Sequence, residues 1–182
     1  MESVEPIRDK RVLEDMCDYL KSTNERNLVM FELGIYGGLR ISDILKLRVK
    51  DVRNKKYIKI TEEKTGKDKP IPINPILRKT LNSYITDKKD LDYLIKSRKG
   101  KNSPIGRTQA YRIIRELGEM YGIEDLGTHS MRKTFGYHYY KKTKDIALLQ
   151  KIFNHSSPNI TLRYIGIEQD VIMKAMNDMR YF

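Results

Sequence analysis

The 182 residues of this chain carry 36 lysines and arginines against 24 carboxylates, a formal net charge of +12. That length holds one domain with a real core, and an excess charge of that size favours a polyanionic partner, nucleic acid before anionic membrane. No apolar run reaches the roughly 18 residues a membrane span needs, no signal-peptide core opens the chain, and neither a phosphate-binding loop nor a dinucleotide-binding glycine pattern occurs.

One cysteine, Cys17, closes no internal disulfide, and three histidines offer no zinc spacing. The cytosol is therefore the default compartment, and no cofactor is expected. Residues 1–7 read as a linker. Asp9 caps a helix over 10–21, with Val12, Leu13, Met16 and Leu20 on one face and Cys17 buried beside them. Asn24 caps the next helix, 25–36. Its Leu28, Val29, Phe31, Leu33 and Ile35 make it apolar on most sides and central to the core. Gly37-Gly38 ends it, and Ser42 stands as N-cap for a short helix over 43–47.

Residues 56–61 and 69–73 read as two strands joined by a hairpin turn, with Gly66 positioned for φ > 0. Pro75 opens a helix to about residue 85. Residues 91–95 suggest a short third strand, and 97–103 have the composition of an exposed loop. Helices follow over 108–121, 129–142, 146–153 and 158–165. An amphipathic tail helix covers 169–179, its apolar stripe serving either the domain's own core or a second subunit. The fold class is mainly α with a small antiparallel β-sheet, an α+β domain.

Residues that suit phosphodiester chemistry recur at particular places. Breaking a DNA strand without metal needs fixed donors for the charge on a pentacoordinate phosphorus, and guanidinium forks suit that best. It needs a nucleophile held in line with the leaving oxygen, and a proton for the departing alkoxide. Arg40 and Arg132 are candidates for the clamp, Tyr164 for the nucleophile, and Lys64 in the hairpin turn for the proton donor. His129 and His155 are candidates to move a proton or donate a hydrogen bond. His129 and Arg132 are i, i+3 and share a helix face. Asp43 is suited to orient an arginine. Twelve tyrosines make the residue type uninformative, and only spacing singles out Tyr164. His138, among Tyr137, Tyr139 and Tyr140, reads as structural.

Five segments in this order carry a resemblance: Gly38-Leu39-Arg40-Ile41-Ser42-Asp43, Glu63-Lys64-Thr65-Gly66-Lys67, Thr128-His129-Ser130-Met131-Arg132, Asn154-His155-Ser156-Ser157 and Thr161-Leu162-Arg163-Tyr164. Together, with 23 residues from Arg132 to His155 and nine more to Tyr164, they resemble the catalytic domain of tyrosine recombinases, the phage-integrase family. The resemblance covers about residues 8–180. It implies a catalytic domain over 8–182, without the family's N-terminal DNA-clamping domain. It implies double-stranded DNA as partner and a 3′-phosphotyrosine at Tyr164. Arg40, Arg132, His129 and His155 would hold the phosphate, with His129 as general acid/base, and Lys64 would protonate the leaving oxygen. It also implies strand exchange within a tetramer, with segment 167–182 as a docking element. Asn154 stands where many members have glycine, a change expected to be tolerated. The rival readings are a type IB topoisomerase, which uses similar chemistry, and a DNA-binding module without catalysis. Arg107, Gln109 and Arg112 are candidates to reach base edges.

Overall fold

The computed structural model describes residues 4–61, 66 and 68–180. Among the described residues, nine α-helices accompany one two-stranded antiparallel sheet, the mainly helical fold with a small sheet that the patterning predicts. Helix α1 (Lys10–Thr23) starts where the Asp9 carboxylate accepts from the Arg11 N–H, and Asn24 caps α2 (Glu25–Ile35) by accepting from Asn27. Every residue of α2 from Leu28 to Ile35 is buried. It runs through the core as its apolar composition requires, with α1 on one side.

The chain leaves α2 through Gly38, whose φ of +62° suits glycine. A Cβ there would also lie 2.6 Å from the Phe135 ring. The next helix departs from expectation. Ser42 is not its cap. Helix α3 spans Ile41–Ile44 with Arg40 as N-cap, in extended conformation and without a side-chain cap bond. Ile41 and Ile44, both buried, are i, i+3. Packing that pair against the core starts the helix at Ile41, two residues earlier than a Ser42 cap would.

A 3-10 turn at Val49–Asp51 leads to β1 (Tyr57–Thr61) and β2 (Asp68–Pro72), paired from Tyr57 with Pro72 to Thr61 with Asp68. Gly66 has φ +64°, as the hairpin chemistry requires. Lys64 lies outside the described residues. Helix α4 (Pro75–Tyr84) is capped by Asn74. The expected strand at 91–95 does not form. Leu94 donates to Leu47, Val49 donates to Asp92, and single bridges join Arg48 to Tyr93 and Lys96 to Pro104. The segment meets each neighbour through a single antiparallel bridge too short to make a ladder, and Leu94 and Ile95 are buried completely all the same.

The C-terminal half is α5 (Arg107–Met120), α6 (Thr128–Thr143), α7 (Ile146–Phe153), α8 (Pro158–Tyr164) and α9 (Ile167–Asn177). Two apolar clusters result. The larger gathers α1 to α5 and ends on Met131 of α6. The smaller is Leu149, Phe153 and Ile165, with Phe135, Tyr139 and Tyr164 packed on it. Helix α6 joins them, and small residues set its distance on both sides. A Cβ at Gly34 would sit 2.4 Å from the Met131 Cβ, and one at Gly136 would sit 2.6 Å from Ile165 Cγ2. Burying a phenylalanine such as Phe153 is worth ~1.5–3 kcal/mol, so the corner where α7 and α8 meet α6 is held by packing.

Cys17 is half-buried rather than enclosed. It lines a groove bounded by α1, α2, α4 and α6, where burial, then Glu32, pushes its thiol up to about 12. His138 is structural as expected, with Nε2 2.9 Å from the Ile7 carbonyl.

Candidate active site

Arg132 sits one turn into α6, buried where the two apolar clusters meet. Its start is fixed by local pairing: Ser130 Oγ accepts from the Gly127 N–H at 3.1 Å, so the helix begins at Thr128. The guanidinium donates through Nη1 to the Gly38 carbonyl and through Nη2 to the Phe153 carbonyl at 3.2 Å. Its Cζ lies 4.2 Å from the centre of the Phe153 ring. One side chain therefore ties the bend before Arg40 to the end of α7 just before His155. Burial lowers its pKa to about 10, with Tyr164 and Asp43 favouring the cation and Arg40 opposing it. It stays charged at neutral pH.

Tyr164, the last residue of α8, packs its ring on this corner. The Phe153 and His155 rings lie edge-on to it at 5.5 and 5.0 Å between centroids. Burial raises its pKa, while Arg132, within hydrogen-bonding reach of the phenol, and Arg40 pull it down. At rest the nucleophile candidate is a protonated phenol beside two cations. His155 follows Asn154, whose φ of +56° and ψ of +45° end α7 in the left-handed region. Asparagine enters that region more readily than most other non-glycine residues, so its presence at this turn carries little backbone strain. The His155 Nδ1 is 3.0 Å from Thr161 Oγ1, and its pKa is lowered by burial, Arg132 and Arg40.

Arg40 is exposed at the junction of two clefts. One, of about 320 Å³, is lined by Arg40, Asp43, Arg132 and Phe153 with Thr61 and Lys69 of the hairpin. The other, of about 490 Å³, is lined by Arg40, Thr128 and His129 with Arg107 and Thr108 of α5. The i, i+3 pair His129 and Arg132 thus opens onto Arg40 from either side. His129 is solvent-exposed as a residue, yet partial burial of its ring, then Lys133, Arg132 and Arg40, lowers its pKa. Five of the six candidates, Arg40, His129, Arg132, His155 and Tyr164, therefore converge. The sixth, Lys64, is placed by the sequence alone.

Several contributors escape sequence reasoning. Lys69 donates to the Lys151 and Ile152 carbonyls at 2.9 and 2.6 Å, fastening β2 to the end of α7. Among hairpin lysines nothing but tertiary position distinguishes it. Lys133 holds its ammonium 5.3 Å from the Tyr164 ring centre. Phe153 and Thr161 had one available signal, their closeness in sequence to His155 and Tyr164.

The comparisons with known proteins bear on the family and the fold. The sequence model of the phage integrase family matches residues 8–170. A probable integrase/recombinase of Bacillus subtilis (strain 168), YoeC, is 49% identical over 175 residues, covering 96% of each chain. The tyrosine recombinase XerA of Pyrococcus furiosus is 29% identical over 146 residues, 78% of this chain but 51% of that protein. The chain thus spans nearly all of one relative and about half of another. In fold it matches the crystal structure of XerA recombinase, with a TM-score of 0.75 at 22% identity, covering 98% of this chain and 67% of that one. The XerH recombinase in a post-cleavage complex with its difH substrate gives 0.71 at 19% identity, covering 97% and 54%. With its family model matched over most of its length and its arginine, histidine and tyrosine candidates gathered at one corner, the chain belongs to the phage integrase family, the tyrosine recombinases.

Proposed function

We propose that this chain cleaves and rejoins double-stranded DNA by transesterification, with Tyr164 as nucleophile. The observation that carries the reading is the buried Arg132 guanidinium set against the Tyr164 phenol, with Arg40 across the cleft. Guanidinium groups in a part-buried site stabilise charge developing on phosphoryl oxygens. The Tyr164 oxygen attacks phosphorus as its proton passes to His129. The bond to the 5′-oxygen breaks, and that oxygen takes a proton from Lys64. Religation reverses these steps and needs no nucleotide, because the phosphotyrosine keeps the ester's energy. His129, held neutral beside three cations, is suited to exchange a proton. Arg107 lines the cleft shared with Arg40 and His129, and it and the exposed Gln109 and Arg112 of the same helix suit phosphate or base contacts.

Assembly on DNA belongs to the same reading. Helix α9 buries none of its residues. Val171, Ile172, Met173, Met176 and Met179 are all more than half exposed, an apolar stripe that suits a neighbouring subunit. The groove bounded by α1, α2, α4 and α6 is a receptor of matching character. It holds Leu13, Leu28 and Ile35, with Glu32 in its wall. Glu32 Oε2 is buried without a hydrogen-bond partner among the described residues, and Lys174 on α9 has the complementary charge.

The test is a nicked suicide duplex bearing the recognition site, incubated with the protein in EDTA and run on a denaturing gel. A covalent adduct should form, and Tyr164→Phe should abolish it while DNA binding persists. An adduct that survives Tyr164→Phe would overturn the assignment. Binding with no adduct from the unaltered protein would favour the non-catalytic module.

A further inference from the structure

Thr161 lies three residues before the nucleophile candidate, fully buried, and its hydroxyl makes two contacts. Oγ1 is 3.0 Å from His155 Nδ1 and 3.3 Å from the Ser157 carbonyl oxygen, one turn back along α8. A hydroxyl has one proton, and a carbonyl oxygen only accepts. If Thr161 donated to His155 Nδ1, its oxygen would face the Ser157 oxygen with no proton between them. If it donates to Ser157, the familiar back-bond of a helical threonine, it accepts from an Nδ1–H. Only the second arrangement puts a proton in both contacts.

We infer that Thr161 is a positioning residue that holds neutral His155 as the Nδ1–H tautomer, leaving Nε2 as a bare acceptor beside Tyr164. The second ring nitrogen is set by what the first one bonds. A neutral ring held this way cannot donate from Nε2 to a phosphate oxygen. It can receive a proton. In the reaction proposed above, on which this role rests, the phenol proton passes to His129, and His155 takes up a proton at Nε2 from solvent as the negatively charged phosphate enters. His155 becomes an imidazolium that keeps Nδ1–H on Thr161 and offers Nε2–H to the phosphate. The departing 5′-oxygen is protonated separately by Lys64, so each proton has one origin and one destination. The ring contact of His155 with Tyr164, 5.0 Å between centroids at 74°, keeps the two groups together in the unbound protein.

The protein supplies its own reference for the opposite state. His138 Nε2 lies 2.9 Å from the Ile7 carbonyl, which only accepts, so neutral His138 is the Nε2–H tautomer. The experiment is a two-bond 1H–15N correlation spectrum of the full chain with 15N-labelled histidine, without DNA, at about pH 8, above the ordinary histidine range. His155 is assigned by the loss of its signals in His155→Asn. The expected spectrum has His155 and His138 in opposite tautomers. Thr161→Ser keeps the His155 pattern, and Thr161→Val moves it toward Nε2–H with the His138 signals unchanged. An Nε2–H pattern for His155 in the unaltered protein overturns the inference. So does an unmoved Nδ1–H pattern in a folded Thr161→Val. Should that variant fail to fold, the unaltered and Thr161→Ser spectra decide. Because no DNA is present, failure here is separate from failure of the cleavage reading, which the suicide duplex reports.

Discussion

The corner made by α6, α7 and α8 and the tail helix α9 are neighbours in sequence and opposites in construction. At the corner, Arg132 is pinned by two carbonyls and an aromatic ring, and Phe153 and Ile165 are fully buried. Among the described residues, the ion pairs that fix helix α9 lie near its root, where Arg8 bonds Asp170 at 2.8 Å and Arg163 bonds Glu168 at 3.1 Å. Beyond that its apolar side chains face solvent. The corner is built to hold charges in a set geometry within one chain, which preorganised stabilisation of a charged transition state requires. The tail keeps its apolar surface available, which suits docking on a second copy.

The largest effect should come from the corner. Arg132→Ala removes a charge donor and leaves the Gly38 and Phe153 carbonyls unpartnered. Cleavage of the suicide duplex should fall roughly 10²–10³-fold, with a stability loss of about 1–3 kcal/mol. A rate loss under about tenfold would remove Arg132 from the clamp. Next is Gly136→Ala, whose methyl would fall 2.6–2.8 Å from Ile165 and Phe153. Overpacking there should cost about 1–3 kcal/mol in urea unfolding and slow cleavage without touching DNA. An unchanged midpoint would mean that α8 is not held in place by α6.

A smaller effect is expected from pH. Burial is the leading cause that lowers the pKa of His129, His138 and His155, helped by cations at His129 and His155 and opposed at His138 by the Ile7 carbonyl. Below about pH 6.5 the unfolded chain binds protons that the folded one resists, so stability is full above that value and is lost as pH falls through the depressed values. The melting temperature should drop between pH 7.5 and 5, and His155→Gln should flatten that slope. A slope unchanged in His155→Gln would show that this ring does not resist protonation in the folded state. The smallest effect on stability belongs to the tail. Met176→Ser should leave the melting temperature within about 0.5 kcal/mol equivalent yet reduce higher-order complexes on DNA in sedimentation. If complexes persist unchanged, α9 is not the docking element.

Much of this was legible from residue order. Asp9, Asn24 and Pro75 mark helix starts by their own chemistry, and the run Leu28–Ile35 identifies the central helix because almost no side of it is polar. The motifs around Arg40, His129, Arg132, His155 and Tyr164 name the candidate site, since charge stabilisation and nucleophilic attack restrict which side chains can serve. Local signals failed where packing outweighed them. Ile41 and Ile44 displaced Ser42 as the organiser of α3, and Leu94 and Ile95 buried themselves without forming a strand. Which of several lysines fastens the hairpin, that Phe153 is the platform under Arg132, and that the Thr161 hydroxyl meets His155 were decided only when distant segments closed on one another. Residue type sets what a side chain is able to do. Its partners depend on distances in space that propensity and spacing along the chain do not encode.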